Sequence, residues 1–355
     1  MSGARHHTLS RREFLRAAGL AGAGAVLLGA CGSDESKGSP TSTPEGDPPP
    51  ETTTLRLAKD VILPVGQLPL FLAEQFLPAE GFTDVQYIDV PLGSGGLQQL
   101  AAGEIDISVL LTAPLMVALD SGDQRVALAG VHNTAWELFA GDRVQSLRDL
   151  KGKRIWVLKR DATDPIYPQM AALLAYVGID LEHEVEFVEL SVADGIGQAE
   201  AGTIDAWLAT RPVSTVLRNA NVGHVIVNGM TDPPWSQYFG AMAMGNRDFV
   251  EQHPAATKRA LRAVLRATDV CAREPERAVR YLIDRGLTPY TYDQAIGAIT
   301  GVSYAAWREF NPEDTMRFYA LRLKEAGLVE STPDELIART TDWRFLDEIK
   351  RELAA

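Results

Sequence analysis

Short apolar strands alternate with helix-length apolar stripes along most of this chain, and the alternation runs twice. LRLA (55–58) and KRIWVL (153–158) are β-branched and apolar runs of the kind that form strands buried on both faces. Each leads through a polar or glycine- and proline-containing turn into a helix pattern, LPLFLAEQFLPAEG or YPQMAALLAYVG, ending at Gly81 or Gly178. A second strand follows, VQYIDV (85–90) or EVEFVEL (184–190), and then a helix-length segment entered through glycine, GGLQQLAAG or DGIGQAEAG. Alternating β and α elements predict parallel, right-handed βαβ units with helices on both faces of each sheet.

The two copies also agree in detail. AAGEIDISVLLTAP (101–114) and EAGTIDAWLATRP (200–212) both read A-G-x-I-D, then an apolar run, then T-x-P, with one residue dropped in the second. The copies join near GDRVQSLRDLKGK (141–153). Open α/β sheets bind ligands at the carboxyl ends of their strands, so two such lobes predict a cleft between them. The turns GSGG (93–96) and SVADGIG (191–197) are expected to face one another there. After residue 240 one more apolar strand, GAMAMG, precedes a run of helices whose starts carry Pro254, Pro275, Pro312 and Thr341. The expected division is residues 54–142 with 241–355 for the first lobe and 143–240 for the second.

The ends set the compartment. SRREFLR precedes a small apolar run from Ala17 to Ala30, too short to span a bilayer and built like a secretory signal. Arg11 and Arg12 resemble a twin-arginine signal, and LGAC (28–31) resembles a lipobox that places a lipid on Cys31; the alternative is an ordinary cleaved signal with a chance cysteine. Residues 32–53 are mostly Ser, Pro, Gly, Thr, Asp and Glu, the composition of a disordered tether. The net charge is −13, and removing residues 1–31 (four Arg, one Glu) leaves 30 minus 46, or −16. So acidic a body excludes a nucleic-acid partner. With Cys31 set aside only Cys271 remains, which rules out an internal disulfide or a cysteine cluster.

At this point the residues resemble a known family, the solute-binding proteins of ABC importers of the nitrate, sulfonate, taurine and pyrimidine-precursor type. The resemblance is carried by LAAGEIDIS followed by TAP, SLRDLKGKRIWV, AGTIDAWLATRP, RDFVEQHP, YALRLKEAGLVESTPDELI and TDWRFLDEIKREL. It implies a type II periplasmic-binding-protein-like fold and a monomer tethered outside the cell beside its permease and ATPase. It further implies a small ligand taken by lobe closure, with no cofactor and no metal. A pyrimidine-type ligand, a surface sensor and an enzyme on the same scaffold remain as alternatives, although H-E-x-x-H, G-x-S-x-G, P-loop and dinucleotide patterns are all absent.

Candidate ligand contacts follow from position. Ser94 is placed to cap the helix after the first glycine turn, leaving the N–H groups of Gly95, Gly96 and Leu97 for an anion. Lys59 and Asp60 follow the first strand, where the resemblance places ligand contacts. In the second copy the corresponding loop holds Arg160, Thr163 and Tyr167, with Arg160, Asp161, Pro165 and Pro168 departing from the small hydroxyl residues usual in that family. Thr112 and Thr210 offer hydroxyls, and Arg211 a guanidinium fork suited to a carboxylate, sulfonate or phosphate. Trp136, Trp207, Trp235 and Tyr238 are candidate walls. If both Asp60 and Asp194 face the cleft, a zwitterion or a ring N–H fits better than nitrate. Each of these residues has a plainer reading as a cap, a solvated loop end or core.

Overall fold

The computed structural model describes residues 47–354 except 62, 63, 92, 123, 162, 163 and 212, so the signal segment, Cys31 and Thr163 lie outside the described residues. The first copy runs β1 (Thr54–Lys59), α1 (Pro64–Leu72), β2 (Asp84–Asp89), α2 (Leu97–Ala101) and β3 (Ile107–Leu111), then α3 (Thr112–Asp120) and β4 (Arg125–Asn133). The chain crosses over at β5 (Trp136–Ala140). The second copy follows as β6 (Arg154–Val157), α4 (Tyr167–Tyr176), β7 (Glu186–Glu189), α5 (Val192–Glu200), β8 (Ala206–Thr210), α6 (Val213–Asn219) and β9 (His224–Asn228). Strand β10 (Phe239–Asn246) crosses back.

Strand orders are β2-β1-β3-β10-β4 and β7-β6-β8-β5-β9. They become identical when the two crossing strands are exchanged. Each crossing strand is antiparallel to both neighbours, while β1 pairs in parallel with β2 and β3, and β6 with β7 and β8. The two-lobed α/β architecture expected from the repeat is therefore present. Strand β5, which the division at 142/143 gives to the first lobe, hydrogen-bonds into the second sheet, and β10 begins at Phe239, inside the range given to the second.

The A-G-x-I-D repeat has a structural cause. Asp106 accepts the Arg56 backbone N–H at 2.7 Å and pairs with the Arg56 guanidinium, whose Nη1 donates to Gly103 O at 2.7 Å. In the second copy Asp205 accepts the Arg154 N–H at 3.0 Å, and Arg154 Nη1 donates to Thr203 O at 2.6 Å. The same carboxylate thus stitches the turn before the third strand to the first strand in both lobes. The glycines, at φ +71° and +68°, end their helices in the left-handed conformation that glycine tolerates best.

The two crossings touch. Thr134 donates its hydroxyl to Gly229 O, and a Cβ on Gly240 would stand 2.5 Å from Thr134 Cα and 2.8 Å from Asn133 O. Only glycine lets the two segments approach this closely.

Helices α7 (Arg247–Gln252), α8 (Pro254–Arg273), α9 (Pro275–Asp284), α10 (Tyr292–Ile299), α11 (Ala306–Glu309), α12 (Pro312–Glu325), α13 (Pro333–Thr340) and α14 (Arg344–Ala354) complete the body. Pro254, Pro275 and Pro312 open their helices as expected, where the missing N–H costs nothing. Thr341 does not: its hydroxyl donates to Ile337 O at 3.0 Å and it ends α13, so α14 starts at Arg344. Helix α12 packs on α4 across the lobes, where Tyr176, Trp235 and Phe318 meet edge to face or tilted.

The end of the expected tether is tied down. Glu51 accepts the Ala255 and Ala256 N–H groups at the start of α8, at 2.9 and 2.8 Å, and Lys258 Nζ holds Asp47 at 2.6 Å. Beneath them Arg262 donates to Glu80, itself 3% exposed, and to Glu352. Glu80 also meets Arg266 at 3.2 Å and Arg259 at 3.8 Å, so losing Arg262 leaves its charge partly compensated. Arg262→Met is expected to lower the unfolding free energy in urea by about 2–3 kcal/mol, the scale of lost charged hydrogen bonds; a loss under about 1 kcal/mol, the level of an exposed pair, would show that the network is not a buried one.

Candidate functional site

A cavity opens where the two sheets meet the crossing strands. Val65, Gly66, Val109 and His132 line it from the first lobe, and Trp136, Thr210 and Arg211 from the second. Its volume is about 40 Å³, and it is partly open to solvent. Leu111 is shared with an adjoining hollow formed by the glycine turn (Gly93, Ser94, Gly95) and Pro165 of the second lobe. Of the residues singled out in the sequence, Thr210, Arg211 and Trp136 border the main cavity, and Ser94 and Gly95 the hollow.

The glycine turn does not present its N–H groups to this space. Gly95 N–H donates to Asp60 Oδ2 at 2.9 Å, Gly96 N–H to Ser94 Oγ at 3.1 Å, and Leu97 N–H to Ser94 O at 3.2 Å. Asp60 is fully buried, so the anion that the turn holds is a side chain of the protein itself. Helix α2 is capped by Gly96, not Ser94. Both glycines are required sterically. Gly95 has φ +60° and Gly96 +82°, and a Cβ would stand 2.8 Å from Leu110 or Ile105.

Other candidates are engaged elsewhere. Thr112 is buried and donates its hydroxyl to Phe239 O at 2.9 Å. Lys59 pairs with Asp89 at 3.0 Å on the adjoining strand. Arg160 donates to Glu182 at 2.5 Å and lies over Phe187, whose ring also meets that of buried Tyr167. Tyr238 stacks on Phe318 at 4.2 Å, and Trp207 stacks on Phe139 in the second lobe's core. Asp194 is exposed and accepts the Ser191 hydroxyl at 2.7 Å, so the twin turn caps its own helix. Its Gly195 allows α5 to press on Trp156, since a Cβ there would come within 2.1 Å of the ring. The argument for a zwitterion from Asp60 and Asp194 therefore has no geometric basis.

Arg211 reaches across the lobes. Its Nη1 donates to Gly297 O at 3.0 Å and to Thr300 O, the carbonyl end of α10. A guanidinium at a helix C-terminus meets the negative end of the helix dipole. Burial lowers its pKa from the usual value, with Glu137 opposing and Arg218 adding to the effect. Nη2 and Nε have no partner among the described residues, which leaves one side of the fork for an acceptor.

Two residues with roles here escaped the sequence reading. Asp164 is buried and accepts the N–H groups of Lys159, Ile166 and Tyr167, fixing the loop before α4. His132 interrupts the apolar run of β4, a signal visible in VALAGVHN. It is 2% exposed; its Nδ1 lies 2.6 Å from Asn133 O, and its Nε2 has no partner among the described residues. A carbonyl can only accept, so Nδ1 carries the proton and Nε2 is a bare acceptor. Burial lowers the ring's pKa to about 4. In an imidazole nitrogen NMR titration, His132 is expected as the Nδ1–H tautomer and uncharged until about pH 4; a midpoint near 6.5 or the Nε2–H tautomer would contradict this assignment.

Comparison with known proteins places this geometry in context. The profile of the NMT1-like family matches residues 48–282. The nitrate/nitrite binding protein NrtA of Nostoc sp. is 22% identical over 322 residues, covering 78% of this chain and 70% of that protein. The crystal structure of the periplasmic nitrate-binding protein NrtA from Synechocystis superposes with a TM-score of 0.66 at 16% identity, over 86% of this chain and 90% of the other. The alkanesulfonate-binding protein SsuA from Xanthomonas axonopodis pv. citri, bound to MOPS, gives 0.60 at 18% identity, over 82% and 99%.

Proposed function

The chain belongs to the NMT1-like family, and on that premise we propose that it is the solute-binding protein of an ABC importer. In this reading it is exported, held at the outer face of the membrane by a lipid on Cys31, and takes a small organic solute between its lobes for delivery to a permease. The observation that carries the reading is the origin of the cavity walls. Val65, Gly66, Val109 and His132 come from one sheet and its helix, Trp136, Thr210 and Arg211 from the other, so that a solute in the cavity touches both lobes at once. A ligand that bridges two bodies stabilises their closed arrangement by its differential affinity for it.

The lining also supports a direction of chemistry. Its walls are mostly apolar, and among the described residues its one charged side chain is Arg211. A fork with Nη1 already committed to two carbonyls favours a single acceptor group, carboxylate, sulfonate or carbonyl, on an otherwise apolar body. A bare inorganic oxyanion such as nitrate would leave most of the wall without a complement.

A thermal-shift screen of the purified protein over nitrate, alkanesulfonates, carboxylates and pyrimidines tests the reading. A solute at about 100 times its dissociation constant adds roughly 2.7 kcal/mol of stability. At least one organic class is expected to raise the melting temperature, and Arg211→Ala to weaken that solute about tenfold or more. A screen in which no class shifts the protein would contradict it, and an unchanged affinity in Arg211→Ala would remove Arg211 from the site.

A further inference from the structure

We infer that His132 selects the solute: the cavity takes a molecule that carries a neutral hydrogen-bond donor, a hydroxyl, amide or ring N–H, placed against His132 Nε2, as well as the acceptor that faces Arg211. The inference rests on the reading of the cavity as a solute site and narrows what that site accepts.

Two observations carry it. First, Nε2 is a buried acceptor with no protein donor, and the tautomer is fixed because Nδ1 faces the Asn133 carbonyl at 2.6 Å. A buried polar atom left unpaired costs the whole of its desolvation, so a solute that supplies the donor is favoured over one that does not. Second, Gly66 is the cavity-lining residue that stands beside Nε2. A Cβ on Gly66 would lie 3.9 Å from Nε2 and 4.0 Å from Val109 Cγ1, and both Gly66 and Val109 line the cavity. That position is within a helix and has ordinary φ, so no backbone strain demands glycine.

The lining also decides what kind of donor. Among the described residues it contains no carboxylate, and Asp60 accepts the Gly95 N–H. An ammonium brought against a neutral imidazole in an apolar wall would be desolvated without a counter-charge, whereas a hydroxyl or N–H would not. Recognition by a buried acceptor discriminates more sharply than an apolar wall does, because the analogue without the donor leaves the site's own group unpaired.

Matched pairs in titration calorimetry test this on the intact protein. The probes are 2-hydroxyethanesulfonate against ethanesulfonate, 4-hydroxybenzoate against benzoate, and nitrate alone. In at least one pair the hydroxyl member is expected to bind tenfold or more tightly, with nitrate weaker than either. His132→Phe keeps a ring beside Tyr304, which His132 meets at 5.5 Å, and should bring that ratio close to one. Gly66→Ala, which sets a methyl before Nε2 without a clash, should reduce it as well. If the donor-free members bind as well as or better than their hydroxyl partners, or if both variants keep the ratio, the selection by His132 is wrong while the solute-binding reading stands. If no probe and no other solute in the screen binds, that reading fails and the selection with it.

Discussion

The chain passes between its two sheets twice, and the two passages lie against one another at Gly240, where a Cβ would stand 2.5 Å from Thr134 Cα. This close approach sets the position of everything described above. It brings the end of β4, with His132, beside the start of β5, with Trp136. It also places Thr210, the residue paired with Trp136 across the second sheet, within the same space. The crossing strands are the antiparallel members of the two sheets, so each lobe contributes to the other's sheet order. A cavity bounded by such a junction changes shape when the lobes move, which is the mechanical requirement for capture by closure.

Polar groups around the junction fall into two sets. One set is consumed by the protein itself: Asp60 in the glycine turn, Asp164 before α4, and Asp106 and Asp205 with their arginines. These fix loops whose backbone donors would otherwise be unpaired. The other set is incompletely used: His132 Nε2 and the part of the Arg211 fork not bound to α10. Buried polar groups without partners are rare in folded proteins, and their meeting at an interlobe space is what gives the site its chemical character.

Much of the fold was legible in the sequence because it depends on periodicity and repetition. LRLA and KRIWVL became β1 and β6, and the duplicated A-G-x-I-D segments became turns that an aspartate ties to the first strand in both lobes. The site was legible only in part. Arg211 and Thr210 stand at a strand end, where topology alone puts them in the cleft. Ser94, Gly95 and Gly96 were read as an anion seat because a glycine turn before a helix looks the same whether its anion is a ligand or a distant aspartate. Deciding between these needs the 35-residue separation between Asp60 and Gly95 to be closed by folding. Lys59, Arg160 and Thr112 were lost for a similar reason: Asp89, Glu182 and the Phe239 carbonyl reach them through tertiary contacts that no local pattern encodes. His132 was missed because a single histidine in an apolar strand shows nothing of its hydrogen-bond partners.

The central claim is that the space between Val65, Trp136 and Arg211 receives the solute. A crystal structure grown with whichever solute most stabilises the protein tests it most directly. The account predicts density in that space, with an acceptor on Arg211 and a donor on His132 Nε2. Density lodged instead in the separate, more open groove lined by Tyr238, Phe310 and Phe318, with the interlobe cavity filled by water, would contradict it.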